Sequence, residues 1–106
     1  MITYLPIKPE PSQRFSIVLD GQNCTIELYQ RFDHLYVDLY VDDTPVTQGL
    51  VCLDHVAIPQ LSTNLFKGLL FFLDSLGFED PQWEGLGDRY KLIYCPVEDI
   101  IDDISS

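Results

Sequence analysis

Cys52, Asp54 and His55 fall in one short stretch and supply a thiol, a carboxylate and an imidazole, the groups from which a nucleophile and its base are built. On a strand, Cys52 and Asp54 share one face while His55 points to the other, so the spacing does not join them into a working pair. The 17 Asp and Glu residues raise a second possibility, because two carboxylates at a suitable separation act as acid and base in glycoside hydrolysis. With so many carboxylates, accidental pairs are common. Asp38 and Asp42 lie on the polar side of an alternating segment and Asp43 at its turn, where an antiparallel sheet with one wet face carries solvated charge. The three cysteines, Cys24, Cys52 and Cys95, show no CxxC spacing, and His34 and His55 are far apart, so no zinc signature exists. No glycine-rich loop follows a strand and opens a helix, which removes phosphate and dinucleotide cradles. The residues thus assemble no catalytic constellation, and the expectation is a non-enzymatic protein with no cofactor and no metal.

What remains is contact chemistry. Tyr29, Tyr36 and Tyr40 sit opposite the aliphatic rows, an arrangement that could stack nucleic acid bases on an aromatic platform. That platform needs a cationic groove, and the chain carries 6 Lys and Arg against its 17 carboxylates, a net charge of −11. Such a surface repels phosphates and anionic lipid headgroups, so nucleic acid and membrane are poor partners. A tyrosine-bearing face without cations suits protein contacts, because tyrosine covers a large area and keeps a polar tip. Tyr36, Asp38, Tyr40 and Asp42 are therefore candidate interface residues. Trp83 is a further candidate, either as a lid over its own core or as an exposed anchor for a partner.

These residues are set on strands. A length of 106 residues supports one domain and one core, and 46% apolar side chains are too many for a disordered acidic chain. Phe15, Ile17 and Leu19 alternate with polar neighbours, Asp20-Gly21 supplies a turn, and Cys24, Ile26 and Leu28 alternate beyond it, which predicts a hairpin over residues 14–29. A turn over residues 30–34 leads to a strand with Leu35, Val37, Leu39 and Val41 on one face. Asp42-Asp43-Thr44-Pro45 reads as the next turn and residues 46–53 as a strand in which Gly49 marks a bulge or a close approach. Residues 54–65 read as a loop, with one helical turn beginning near Asn64. Residues 68–73 form a continuous apolar run of strand length, far short of the ~20 residues of a membrane span. Residues 78–87 read as an exposed loop and residues 90–95 as the last strand. Beyond Pro96, Val97, Ile100, Ile101 and Ile104 are at helical spacing among acidic residues, a short amphipathic tail in which Ile100 and Ile104 are candidate contact residues. The domain expected is residues 1–95, with residues 96–106 as its tail. The odd cysteine count and the absence of a leader-like N-terminus suggest a reducing compartment.

Several pieces stand out by their order and spacing: Leu5-Pro6, the stretch Pro11-Ser12-Gln13-Arg14-Phe15-Ser16-Ile17-Val18-Leu19-Asp20-Gly21-Gln22, Leu35-Tyr36-Val37-Asp38-Leu39 and Gly49-Leu50-Val51-Cys52-Leu53. Gly68-Leu69-Leu70-Phe71, Asp80-Pro81, Leu86-Gly87 and Tyr90-Lys91-Leu92-Ile93-Tyr94 continue the pattern. Together, over residues 2–95, they resemble the phage baseplate plug family. The acidic tail falls outside it. The resemblance implies a small β-rich structural protein of a contractile phage tail, in the virion baseplate near the hub and the tail tube end, assembled in the infected cytoplasm and without enzymatic activity. It carries over no site residues.

The expectation is then a mainly β chain, an antiparallel barrel or sandwich of about six strands with one short helical turn and the amphipathic tail. Its function is architectural, occupying the central channel of a baseplate and contacting hub, tube or spike proteins. Copies would repeat by threefold or sixfold symmetry. One rival is a small cytosolic module that docks a partner through a sheet face or edge, and a third, weaker reading is a small carboxylate-dependent hydrolase.

Overall fold

The computed structural model describes residues 3–56, 58 and 68–96. Strands dominate it: β1 (Thr3–Tyr4), β2 (Ser12–Leu19), β3 (Gln22–Arg31), β4 (His34–Val41), β5 (Thr44–Val51), β6 (Leu69–Asp74) and β7 (Tyr90–Cys95). They form two antiparallel sheets, one of four strands in the order β2-β3-β4-β5 and one of three in the order β1-β7-β6. Both sheets are open, and their inner faces share one core.

Turn chemistry explains the meander. Asp20 and Gly21 both have positive φ (52° and 75°), as do Asp42 and Asp43 (50° and 66°). Two such residues in succession give the hairpin turn whose twist matches its flanking strands, and Asp and Gly are residues that tolerate it. The expected turn at 30–34 is tighter than the sequence suggests: Arg31 pairs with His34, so only Phe32 and Asp33 lie between the strands. Pro45 lies inside β5 rather than in the turn before it. An edge strand accommodates proline because one side of its backbone has no ladder partner to supply. Of the two roles expected of Gly49 the structure shows the bulge, with φ of 65° at a break in register; the Tyr29 hydroxyl, 3.8 Å from where a Cβ would lie, is at ordinary contact distance.

The alternation predicted from the sequence is the one that packs. Cys24, Ile26 and Leu28 on β3 and Leu35, Val37 and Leu39 on β4 are buried, facing Leu70, Phe72, Leu92 and Tyr94 of the smaller sheet. The Tyr94 hydroxyl donates to Asp20 Oδ2 at 2.7 Å and so ties the first hairpin turn to the other sheet. Burial and that carboxylate push the Tyr94 hydroxyl well above the usual phenol range. Asp54 and Ile58 bridge to the far side of β6, at Phe72 and Leu70, so the chain leaving β5 crosses to the second sheet there. β1 was not legible in the sequence. It is two residues long and pairs with β7, too short for a period to register.

The loop expected to be exposed is so only in part: Phe78, Glu79, Glu84 and Gly87 are exposed, while its middle is tied down. Pro81 and Leu86 are buried, and Trp83–Gly85 form a 3-10 turn. The helical turn expected near Asn64 and the amphipathic tail, with Ile100 and Ile104, lie outside the described residues.

Candidate functional site

The outer face of the four-stranded sheet is built by register. Tyr29 on β3 faces Tyr36 on β4, and their rings stack with centroids 5.9 Å apart. The Arg31 guanidinium lies over the Tyr29 ring at 5.3 Å. One row along, Arg14, Glu27 and Asp38 are cross-strand neighbours on β2, β3 and β4. Asp38 is not a free surface charge. Its Oδ1 accepts the Tyr29 hydroxyl at 3.0 Å and the Gly49 backbone N–H at 2.6 Å, which fixes the bulge of β5. Burial first, and then the Asp38 carboxylate, raise the Tyr29 pKa. Tyr40 lies beyond in the same strand and its hydroxyl accepts from Gln48 Nε2 at 2.9 Å. Tyr36, Asp38 and Tyr40 thus occupy one half-buried face. Asp42 stands at its end in the turn, exposed, accepting from Asn23 Nδ2 at 3.2 Å.

Trp83 belongs to the other end of the sheet. Its backbone N–H donates to Gln30 Oε1 at 3.3 Å, Gln30 Nε2 donates to Gln82 Oε1 at 2.9 Å, and Gln82 Nε2 donates to the Asp33 carbonyl at 2.7 Å. The indole is half-buried against the core. Of its two expected roles, the packing of the lid is present and part of the ring stays accessible. Strand β4 separates it from Asp42, so the candidate residues do not converge on one patch.

A second face escaped the sequence reading. On the smaller sheet, Phe71 pairs with Ile93 and Ile93 with Tyr4, with Leu69 and Leu73 on the same side, opposite the shared core; Ile93 is buried, Leu69, Phe71 and Leu73 are half-buried and Tyr4 is exposed. Beside it runs an open groove of about 620 Å³ lined by Tyr4, Leu5, Pro6, Ile7, Leu73 and Lys91 among others. The signal that could have found this face is the unbroken run Leu69–Leu73. A strand with one wet face alternates, whereas this one does not.

The residues singled out for chemistry are held apart or spent on structure. Cys52 is fully buried and burial pushes its thiol far up, the opposite of an activated nucleophile. His55 is exposed at positive φ and contacts Asp54 Oδ2 at 2.7 Å. Asp54 accepts from the Asp74 backbone N–H at 3.0 Å, and the Asp54 N–H donates to Asp80 Oδ1 at 3.0 Å. Asp74, whose side chain has no exposed surface, accepts Arg89 Nε and Nη2, each at 2.7 Å, and the backbone N–H groups of Leu76 and Glu79. Arg89 holds the Asp74 carboxyl well below the usual carboxylate range. The group is a fork-to-fork pair that pins the β6–β7 connection. Among the described residues no three His, Cys, Asp or Glu side chains gather as a metal site would require.

The family model described as "Cyanophage baseplate Pam3 plug gp18" matches residues 2–97. No curated protein matches the chain.

Proposed function

The chain belongs to that family of cyanophage baseplate plugs, and from this premise we propose that it sits in the central channel of a contractile tail baseplate, near the hub and the tail tube end. A structural role in the phage baseplate follows from the family itself. The match over residues 2–97 carries the reading, since it takes in every strand described. The geometry supports it: the described surfaces offer contact area in place of a reactive cleft. The apolar outer face of the smaller sheet and the tyrosine face of the larger one suit neighbours of different chemistry, the first an apolar partner and the second one carrying Lys or Arg. Copies repeat around the tail axis by threefold or sixfold symmetry, and the acidic tail after residue 95 adds an apolar stripe to the contacts. The protein acts without catalysis, in the virion, after assembly in the infected cell.

Co-expression with the hub and tube proteins encoded beside its gene tests this. The three should co-purify, with the complex weakening as salt rises. A chain that elutes alone at low salt from both would overturn the assignment to the channel.

A further inference from the structure

The four strands of the larger sheet end in two edges, β2 and β5, and only one is protected. β5 carries Pro45 and two register breaks. Proline, bulges and twist are the devices that stop a strand from accepting another chain. The smaller sheet offers no comparable edge: β1 is two residues long, and β6 is bridged by Asp54 and Ile58. β2 has eight residues, regular pairing along its whole length and no proline.

Register shows which backbone groups of β2 are spare. Leu19 and Gln22 flank a two-residue turn and therefore exchange their N–H and C=O groups. Counting back by twos, Ile17, Phe15 and Gln13 also bond to β3, so the N–H and C=O groups of Val18, Ser16, Arg14 and Ser12 point outward. Among the described residues they have no partner. The core is also thinner along this edge. Cys24, Ile26 and Leu28 on β3 have no exposed surface, whereas Phe15 and Ile17, on the same inner side, stay partly exposed. Val18 is 63% exposed. An added strand would need apolar residues in alternation on one side and little charge on the other.

β2 itself meets that requirement, and we propose that β2 is a self-pairing edge: a second copy of this chain adds its β2 antiparallel to the first. With Ser16 opposite its counterpart about a twofold axis, Arg14 faces Val18 of the second copy and each Phe15 lies against the other copy's Ile17. The outward N–H groups of Arg14, Ser16 and Val18 in each copy then face carbonyls while Ser12 falls opposite the turn at Asp20, and the two Phe15–Ile17 contacts close the open rim of each core. Charge permits the contact at this place. Residues 11–19 contain one cation, Arg14, and no carboxylate, on a chain of −11. The isologous pair closes at two copies. A three- or sixfold ring uses head-to-tail contacts instead, so the pair is the state of the free protein and covers the edge before assembly. The inference stands on the edge alone and is independent of the baseplate reading.

Edge-to-edge pairing buries little surface, so the dimer is weak, with a dissociation constant on the order of 10–100 μM. It also has a distinctive salt response. The attraction is hydrogen-bonded and apolar while the copies repel through like net charge, so raising NaCl from about 0.05 to about 0.5 M should tighten the dimer about tenfold. Sedimentation equilibrium of the full chain reads this directly. Ser16→Pro removes one outward N–H and leaves the β2–β3 ladder intact, and Val18→Lys sets an ammonium opposite Arg14 of the other copy. Both should be monomeric with a melting temperature near that of the parent. A parent chain that is monomeric at about 500 μM in high salt overturns the proposal, as does a dimer that survives both substitutions. Should Ser16→Pro fail to fold, Val18→Lys alone decides. A monomeric parent whose Ser16→Pro variant is lost from tail particles would assign the edge to a strand of another protein and also overturn self-pairing.

Discussion

Asp38 Oδ1 lies 2.6 Å from the backbone nitrogen of Gly49, so a carboxylate at the middle of the tyrosine face holds the bulge of the neighbouring edge strand. That contact divides two residues which the alternation of β4 treats alike. Asp38 is spent on the fold, whereas Asp42 is exposed in its turn with a single side-chain bond, from Asn23, and keeps a carboxylate within reach of a partner.

Charge reversal at the two sites should therefore give different results. Asp38→Lys removes the acceptor of two hydrogen bonds and should cost about 1–3 kcal/mol, read as a lower midpoint in urea. Asp42→Lys gives up one exposed bond from Asn23 and sets a lysine at positive φ, so it should cost about 1 kcal/mol. It should also slow association with a Lys- or Arg-rich baseplate partner at low salt, since steering acts on the encounter rate. Equal midpoints for the two variants would show that the bulge does not depend on Asp38.

The Asp74–Arg89 pair predicts an acid limb in the stability profile. The folded pKa of Asp74 lies below its unfolded value of 3.8, so the stability it contributes is complete above that value and is lost as pH falls through the folded pKa. Thermal unfolding followed from pH 7 to pH 2 should show the melting temperature fall below about pH 4, and Asp74→Asn should flatten that fall while lowering the plateau. Glu79, 72% exposed at the rim of the same arginine, should change neither when mutated to Gln.

Gln82 tests how the indole is held. Gln82→Ala breaks the amide contact to Gln30 and the bond to the Asp33 carbonyl, at a cost of about 1–2 kcal/mol. The fluorescence of Trp83, the single tryptophan of the chain, should shift to the red as the loop lifts. An unshifted spectrum would mean that the core contact alone fixes the ring.

Most strands were legible because their side chains obey a period that burial enforces. Phe15 to Leu28 and Leu35 to Val41 alternate since one side faces the core and the other faces water, and Asp20-Gly21 and Asp42-Asp43 mark turns through their tolerance of positive φ. The sequence is silent where contacts are long-range. Nothing local shows that Asp38 will meet Gly49, or that Gln82 will meet Gln30, 52 positions away. The Tyr4–Ile93–Phe71 row joins strands from both ends of the chain, and no window along the sequence contains all three. Pro45 misled because a proline marks both a turn and an edge, and only the sheet order separates them.

The tail supplies a further test, although Ile100 and Ile104 lie outside the described residues. A stripe this short is marginal as an isolated helix, so it needs a surface to act on. Ile100→Asp together with Ile104→Asp should lower either stability or incorporation into particles, and a stop after Ile104 should do neither. A double variant unchanged in both measurements would make the tail a solvated end.

The central claim is one of place, and electron cryo-microscopy of tail particles whose genome encodes this chain measures it most directly. The account predicts density for two antiparallel sheets on or close to the tail axis inside the baseplate, lost when the gene is deleted. A baseplate complete without this chain, or the chain found only at the periphery, in the head or outside the particle, would contradict it.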